Sequence, residues 1–178
     1  MGATRQPGVR MRTSVTIAIA MLMAFLLAWQ HVHGGVPAHH LLADPGLPTV
    51  SNWWGLLTLP LLAWFLLGRI DARRKANPAA VARMKLAFGG ALFYGAALAA
   101  LFTAGHAGIT DGMAMGIFVL ALFLPVYRAE YVLGFVLGMT WSFGAILPMI
   151  AAAIFAGAGA VIHLGVRFVY TRALLLRR

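Results

Sequence analysis

The residues of this sequence that could do chemistry concentrate between His31 and Trp54, in the stretch HVHGGVPAHHLLADPGLPTVSNWW. The stretch contains Asp44, one of only four acidic residues, and it contains no Lys or Arg. Neutral imidazole and carboxylate oxygen are ordinary ligands of Zn, Cu and Fe, and histidine also titrates in the range that suits proton transfer. The stretch therefore predicts a metal or proton-transfer site. Four of the six histidines lie in it: His31, His33, His39 and His40.

Spacing within this stretch predicts a local geometry for its histidines. His31 and His33 point the same way if their segment is extended, because side chains two residues apart share one face of a strand. Pro37 is expected to open a short helix, AHHLLAD, which would place His40 and Asp44 four residues apart on one face. Such a pair suits joint metal ligation, or a carboxylate that orients an imidazole. Two predicted turns fold the stretch back on itself: Gly34-Gly35 and Asp44-Pro45-Gly46.

Composition places these residues in an integral membrane protein. Of the 178 residues, 62% are hydrophobic and 10% are charged, which leaves too little polar surface to cover a soluble globule. The net charge of +10 does not predict nucleic-acid binding, because the Lys and Arg residues lie at the edges of apolar runs, where membrane lipid headgroups are their partners. The absence of cysteine excludes disulfides and thiolate metal sites.

Hydropathy predicts an all-α bundle of about six transmembrane helices, arranged as three hairpins. The largely apolar stretch 131–166 would be about 54 Å long as one helix, against a hydrocarbon core of about 30 Å. We therefore place a break within WSFGAILP, residues 141–148, where a Gly and a Pro favour a turn. The predicted spans are 14–29, 53–67, 86–104, 113–126, 131–144 and 149–166. The predicted divisions are a tail (1–13), a transmembrane domain with an outer loop at 31–52 (14–166), and a basic tail (167–178).

The distribution of charge predicts the orientation of the helices. With six spans and both termini on one side, all fourteen Lys and Arg residues fall on that side, which the positive-inside rule assigns to the cytoplasm. A multi-pass protein of the cell membrane, of the bacterial inner-membrane kind, is expected. Asn52-Trp53-Trp54 is expected to anchor the outer loop among lipid headgroups.

The outer face then holds a predicted site for a divalent metal ion such as Zn, Cu or Fe. The expected function is metal handling, or metal-dependent catalysis in the membrane on an apolar substrate, with the metal polarising an oxygen or activating water. No established ligand spacing such as HExxH is present, so a polar loop without chemistry stays open, as does whether the protein is an enzyme. The preferred ligands are His39, His40, His106 and Asp111. Asp44 is expected to hydrogen-bond to these ligands rather than bind the metal, and His31 and His33 are further candidate ligands.

Three other interpretations stay open. A transporter or channel would use helices broken at Pro60 and Pro148. A lipid-binding or assembly subunit would form a homo-oligomer through its GxxxG spacings, which also serve packing within one bundle. At the inner face, Glu130 and His163 are expected either to form a functional pair or to join an interfacial network. The GxxxG spacings are Gly112–Gly116 and Gly134–Gly138.

Overall fold

The computed structural model describes residues 7–40, 46 and 49–175. Two three-residue strands, β1 (Ala38–His40) and β2 (Thr49–Ser51), lie between the first two helices, and short 3-10 turns precede the second and third. Each helix overlaps one predicted span. Within these ranges the six α-helices are α1 (Pro7–Val32), α2 (Gly55–Ala76), α3 (Val81–Thr103), α4 (Ala107–Phe123), α5 (Ala129–Phe143) and α6 (Ile146–Leu175).

Several of these helices are long and apolar enough to cross a membrane. Helix α4 is also apolar but is shorter, at 17 residues. The predicted all-α architecture built on apolar helices is confirmed at this level. Among the described residues, the four segments that meet both criteria are Gly8–Val32, Asn52–Ala76, Pro78–Thr103 and Ile146–Arg172.

The shortest helix, α5, lies at the centre of the bundle. Seven of its 15 residues are buried, and it contacts α2, α3 and α6. Glycine allows the close approach to α3, because a Cβ at Gly138 would collide with the carbonyl oxygen of Leu92, and one at Gly134 with that of Phe88. The Gly134–Gly138 spacing therefore serves packing inside the chain. A homo-oligomer through Gly112–Gly116 stays a prediction.

This packing departs from the three predicted hairpins. Helix α1 packs on α2 as expected, but α3 packs most extensively on α5, and α4 packs more on α6 than on α3. The reason is the glycine face of α5, which lets the backbones of α3 and α5 meet, whereas side chains keep other helix pairs further apart. As a consequence α3 and α4 contact each other little, although they are adjacent in sequence.

The helix break predicted within 141–148 is confirmed. Helix α5 ends at Phe143, and Gly144 adopts a φ of +68°, a conformation that glycine accepts without strain. Helix α6 begins two residues later, so Pro148 falls in its first turn, where a missing N–H breaks no helical hydrogen bond. The buried side chain of Asn52 lies against Gly144 and would collide with any Cβ there.

The connection from α1 to α2 differs from its prediction. The predicted helix after Pro37 is wrong at residues 38–40, which form β1 and pair antiparallel with β2, His39 opposite Val50. The β-branched residues of β2 favour this extended pairing, and the Asn52 N–H extends it by donating to the Pro37 carbonyl oxygen at 3.1 Å. Residues 41–45 of that helix, and the predicted turn at Asp44-Pro45, lie outside the described residues. The predicted Gly34-Gly35 turn is confirmed, with φ of 120° and 98°.

The two ends of the bundle differ in charge. We call the end that holds the start of α1, the α2–α3 connection and the start of α5 the basic end, and the opposite end the histidine end. At the basic end Arg12 donates from Nε to the Trp64 carbonyl oxygen at 2.7 Å, and its guanidinium lies 3.8 Å from the centre of the Trp64 ring. This contact ties α1 to α2. The described cations of the basic end include Arg10, Arg12, Arg69, Arg73, Arg74, Lys75, Arg83, Lys85 and Arg128.

Candidate functional site

At the histidine end, the two histidines that follow Trp29 engage tryptophan rings. His33 stacks on Trp29 with ring centroids 3.7 Å apart, and its Nδ1 lies 2.9 Å from the Trp29 carbonyl oxygen. A carbonyl only accepts, so Nδ1 carries the proton and Nε2 remains available to accept or to ligate. His31 lies edge-on to Trp53, with ring centroids 6.3 Å apart.

The extended segment that would align His31 and His33 on one face does not form. Helix α1 continues to Val32, and the His33 N–H still makes a helical hydrogen bond to the Trp29 carbonyl oxygen at 3.1 Å. Side chains that are two positions apart on a helix are rotated by about 200° about its axis. The imidazoles of His31 and His33 therefore point to nearly opposite sides. The physical reason is that the apolar run of α1 propagates its helix to the glycine pair, where positive φ angles end it.

His106 and Asp111 lie at the start of α4, on exposed positions. His106 precedes the helix, and its carbonyl oxygen accepts from the N–H groups of Ile109 and Thr110, each at 3.1 Å. Within the described part of the chain, neither His106 nor Asp111 contacts His31 or His33 through a hydrogen bond, an ion pair or a ring. The structure places these predicted ligands at the same end of the bundle without bringing them together.

The predicted metal centre stays a prediction. Within residues 7–40, 46 and 49–175, no three His, Asp or Glu side chains form a group that could hold a metal ion. The backbone of His39 and His40 lies in β1, but their side chains fall outside what is described, as does Asp44 entirely. The four predicted ligands whose side chains are described therefore give the metal hypothesis no further support.

Glu130 and His163 form no hydrogen bond or ion pair with each other, so they do not form the functional pair that was one of the two predicted alternatives. His163 is buried in α6, and its Nδ1 donates to the Ala121 carbonyl oxygen at 3.1 Å. In a continuous helix that carbonyl would accept from the residue four positions on, but this residue is Pro125, which has no N–H. His163 thus supplies the donor that Pro125 lacks and fixes α6 against the end of α4.

Glu130 instead pairs with an arginine from α2. Only 2% of the Glu130 surface is exposed, and its Oε1 accepts from Nη1 of Arg73 at 2.5 Å. Its second oxygen, Oε2, is buried and has no hydrogen-bond partner among the described residues. A buried acceptor left without a donor costs about 1–3 kcal/mol, and more when it is charged.

Arg73 and Glu130 line a cavity of about 790 Å³ among α3, α4, α5 and α6. Sites for small molecules have volumes of roughly 300–1,000 Å³. Along α3 the cavity runs from Arg83 to Tyr94, about 16 Å at about 1.5 Å per residue. Its polar lining comes from the basic end: Arg73, Asn77, Arg83, Arg128, Glu130 and Tyr131. Its deeper lining is apolar and includes Ala91, Ile117, Leu120, Val132, Phe135 and Phe155.

Charge in the polar part of the cavity is unbalanced. The two described acidic side chains of the basic end, Asp71 and Glu130, are both already paired with cations of α2. Arg83 and Arg128 also line the cavity, and they form no ion pair within the described chain. Two cations without an ion-pair partner in the described chain therefore line a space whose deeper part is apolar. Such a space can hold a molecule with an anionic head and an apolar body.

Comparisons with known proteins leave the cavity as the main guide to function. No family model, curated protein or solved structure matches the chain. Any proposal about function therefore rests on the residues themselves.

Sequence reasoning missed the cavity because its lining comes from separate segments between residues 73 and 156. Arg73 and Glu130 are 57 positions apart, and no local pattern links them. One available indication was the lone acid Glu130 at the start of an apolar span, which needs a buried partner. Another was Pro125. Because proline has no N–H, a carbonyl oxygen of α4 lacks its helical donor and needs a side-chain donor such as His163.

Proposed function

We propose that this protein is a multi-pass membrane protein that binds an anionic amphiphile, a phospholipid or a molecule of like build, in the cavity among α3, α4, α5 and α6. One observation supports this most: Arg83 and Arg128, both without an ion-pair partner in the described chain, line a cavity that runs about 16 Å along α3 and is apolar in its deeper part. Arginine forks bind phosphate oxygens with good geometry, and acyl chains favour the apolar part.

The position of the cavity in the bundle agrees with a membrane ligand. Its polar residues belong to the basic end, which we propose faces the cytoplasm because Lys and Arg are retained there. Anionic headgroups of the cytoplasmic leaflet then lie at the level of the polar lining. The weak contact between α3 and α4 offers a lateral route by which an amphiphile could enter from the bilayer.

The lining favours binding over hydrolysis. It includes no serine, cysteine or histidine among the described residues, so the usual nucleophile and general-base pairs are missing from the cavity wall. Tyr94 is the deepest hydroxyl in the wall, and it donates to the Met113 carbonyl oxygen at 2.5 Å. That hydroxyl is therefore engaged in holding α3 to α4.

Replacing Arg83 with Gln is expected to weaken binding of phosphatidylglycerol about fivefold. The expected loss of about 1 kcal/mol reflects an exposed cation whose attraction to phosphate is partly screened by solvent. Native mass spectrometry of the protein in mild detergent, titrated with phosphatidylglycerol, measures this change directly.

Lys85 gives the matched control, because it lies two residues further along α3, is exposed, and does not line the cavity. The Lys85→Gln variant should bind phosphatidylglycerol as the wild type does. Equal weakening in both variants would mean that general surface charge attracts the lipid. A wild-type protein that binds phosphatidylcholine as tightly as phosphatidylglycerol would contradict the proposed function.

A further inference from the structure

We infer that His163 is a positioning residue for the bound lipid: from α6 it holds the connection between α4 and α5 in place, and it thereby sets the position of Arg128 in the cavity wall. This inference rests on the proposed function and adds to it a described residue outside the cavity lining. The connection comprises residues 124–128, between the end of α4 and the start of α5. Four of these residues line the cavity: Leu124, Pro125, Val126 and Arg128.

Two residues of α6 that are four positions apart, and so share one face of the helix, form the seat of this connection. At Gly159, a Cβ would lie 2.5 Å from Cγ2 of Val126, so the valine fills the space that a side chain would take. His163 donates from Nδ1 to the Ala121 carbonyl oxygen at 3.1 Å. The His163 ring also lies 5.9 Å from the ring of Tyr127, centre to centre. Helix α6 thus contacts both the end of α4 and the middle of the connection.

The connection is compact, so a shift at its start is transmitted to Arg128. The Val126 N–H donates to the Leu124 carbonyl oxygen at 2.9 Å. The Arg128 N–H donates to the Pro125 carbonyl oxygen at 3.0 Å. On the other side, the ion pair of Glu130 with α2 holds the start of α5, which Arg128 immediately precedes. Arg128 therefore lies between two fixed points, and His163 provides the one on the α4 side.

Burial makes the hydrogen bond of His163 necessary for this arrangement. Ala121 has 0% of its surface exposed, so water cannot reach its carbonyl oxygen where it lies. Pro125 has no N–H to donate to it. A carbonyl oxygen without a donor in apolar surroundings is costly. Without His163, the end of α4 has to move to find a donor, and the connection that carries Arg128 moves with it.

A replacement that removes the donor but keeps an apolar side chain tests the inference. His163→Leu is expected to lower the preference for phosphatidylglycerol over phosphatidylcholine about threefold, and Arg128→Gln about fivefold, because the second change removes the cation itself. His163→Asn keeps an N–H at the same position along the side chain and should restore most of the preference. Competition between the two lipids, read by native mass spectrometry, gives the preference of each variant.

A double-mutant cycle separates positioning of Arg128 from a general loss of packing. In the Arg128→Gln background, His163→Leu should change the preference by less than about 1.5-fold, because the residue that it positions is already gone. In the Arg83→Gln background, it should keep its full effect, because Arg83 belongs to α3 and not to the connection. A general loss of packing would lower the preference equally in both backgrounds.

Gly159→Ala tests the same seat at its other residue, and it takes the place of His163→Leu in the cycle if that variant does not fold. The new methyl group would displace Val126 and should lower the preference about twofold, again only while Arg128 is present. Gly157→Ala is the matched control on the same helix, since a Cβ there would meet no atom within 4 Å. It should leave the preference unchanged.

Each outcome decides the inference. A preference that falls in His163→Leu, returns in His163→Asn and does not fall further once Arg128 is replaced supports it. An unchanged preference in His163→Leu overturns it, and so does an equal loss in the Arg128→Gln and Arg83→Gln backgrounds; both results leave anionic lipid binding intact. Wild-type preference in Arg128→Gln also overturns it, since Arg128 then does not contact the lipid. If the wild-type protein shows no preference for phosphatidylglycerol, the proposed function itself fails.

Discussion

Replacing Gly138 with Ala is expected to lower the free energy of unfolding by about 1–3 kcal/mol or more, the usual cost of adding a carbon to a closely packed site. The new methyl group would collide with the carbonyl oxygen of Leu92. That neighbour is backbone, which cannot turn aside as a flexible side chain does, so α3 and α5 must separate. For a chain of this size the melting temperature should fall by about 2–12 °C, measured by thermal unfolding in detergent.

Gly157 in α6 provides the control for this prediction. A Cβ at Gly157 would meet no atom within 4 Å, so Gly157→Ala adds a methyl group in open space. Alanine is better than glycine in a helix by about 1 kcal/mol, and the melting temperature should stay constant or rise. If Gly138→Ala proved as stable as Gly157→Ala, the close packing of α5 on α3 would be wrong.

Replacing Gly90 with Leu is expected to weaken binding of phosphatidylglycerol about thirtyfold, which corresponds to about 2 kcal/mol. Gly90 lies on α3 and lines the cavity, and a Cβ there would meet no atom within 4 Å. The leucine side chain therefore fills space that the acyl chain would otherwise occupy. Displacing two or three methylene groups costs about 0.8 kcal/mol for each. Titration followed by native mass spectrometry measures the loss.

The neighbouring Gly89 makes this prediction specific to the cavity. Gly89 is equally unobstructed on the same helix, but it does not line the cavity. Gly89→Leu makes the same chemical change about 100° further round the helix and should bind phosphatidylglycerol as the wild type does. Both variants should unfold at or above the wild-type temperature, because leucine is the better helix former. Equal binding by Gly89→Leu and Gly90→Leu would show that the lipid lies elsewhere.

The regular elements could be predicted from the sequence because they depend on local patterns. Apolar runs longer than one bilayer crossing required a break, and Gly144 and Pro148 supplied it where the structure has it. Basic residues at the ends of the apolar runs predicted that the cations lie at one end of the bundle and the histidines at the opposite end. Both the hydropathy of a run and the length of its helix depend only on residues that are neighbours in sequence. The helices and the break could therefore be predicted without knowledge of how the helices pack.

The partners of each helix could not be predicted in this way. Adjacent spans favour hairpins, but the glycines of α5 allow it to pack on α3 and leave α4 to pack on α6. The cavity results from this change of helix partners. The ion pair between Arg73 and Glu130, which are 57 positions apart in sequence, results from it too. The short helix predicted after Pro37 failed for a similar reason, because Ala38–His40 found a β-branched partner strand further along the chain.

One short helix, α5, produces the cavity on which the proposed function depends. Gly134 and Gly138 draw α5 against α3, and Glu130 at the start of the same helix meets Arg73. The space left between α3 and α4 is apolar in depth and cationic at the basic end. A bilayer contains many molecules with this distribution of charge. The property to measure is therefore how much more tightly the cavity binds one lipid than it binds the surrounding bilayer lipids.

The most direct measurement is photo-crosslinking with a phosphatidylglycerol that carries a diazirine on one acyl chain, followed by peptide mapping. Leu120 and Phe155 line the cavity, whereas Phe123 and Val161 are exposed on the outer surface of the same two helices. We predict crosslinks at Leu120 and Phe155 that unlabelled phosphatidylglycerol competes away and that Gly90→Leu removes. Crosslinks confined to Phe123 and Val161, unaffected by competitor, would contradict a lipid site in the cavity.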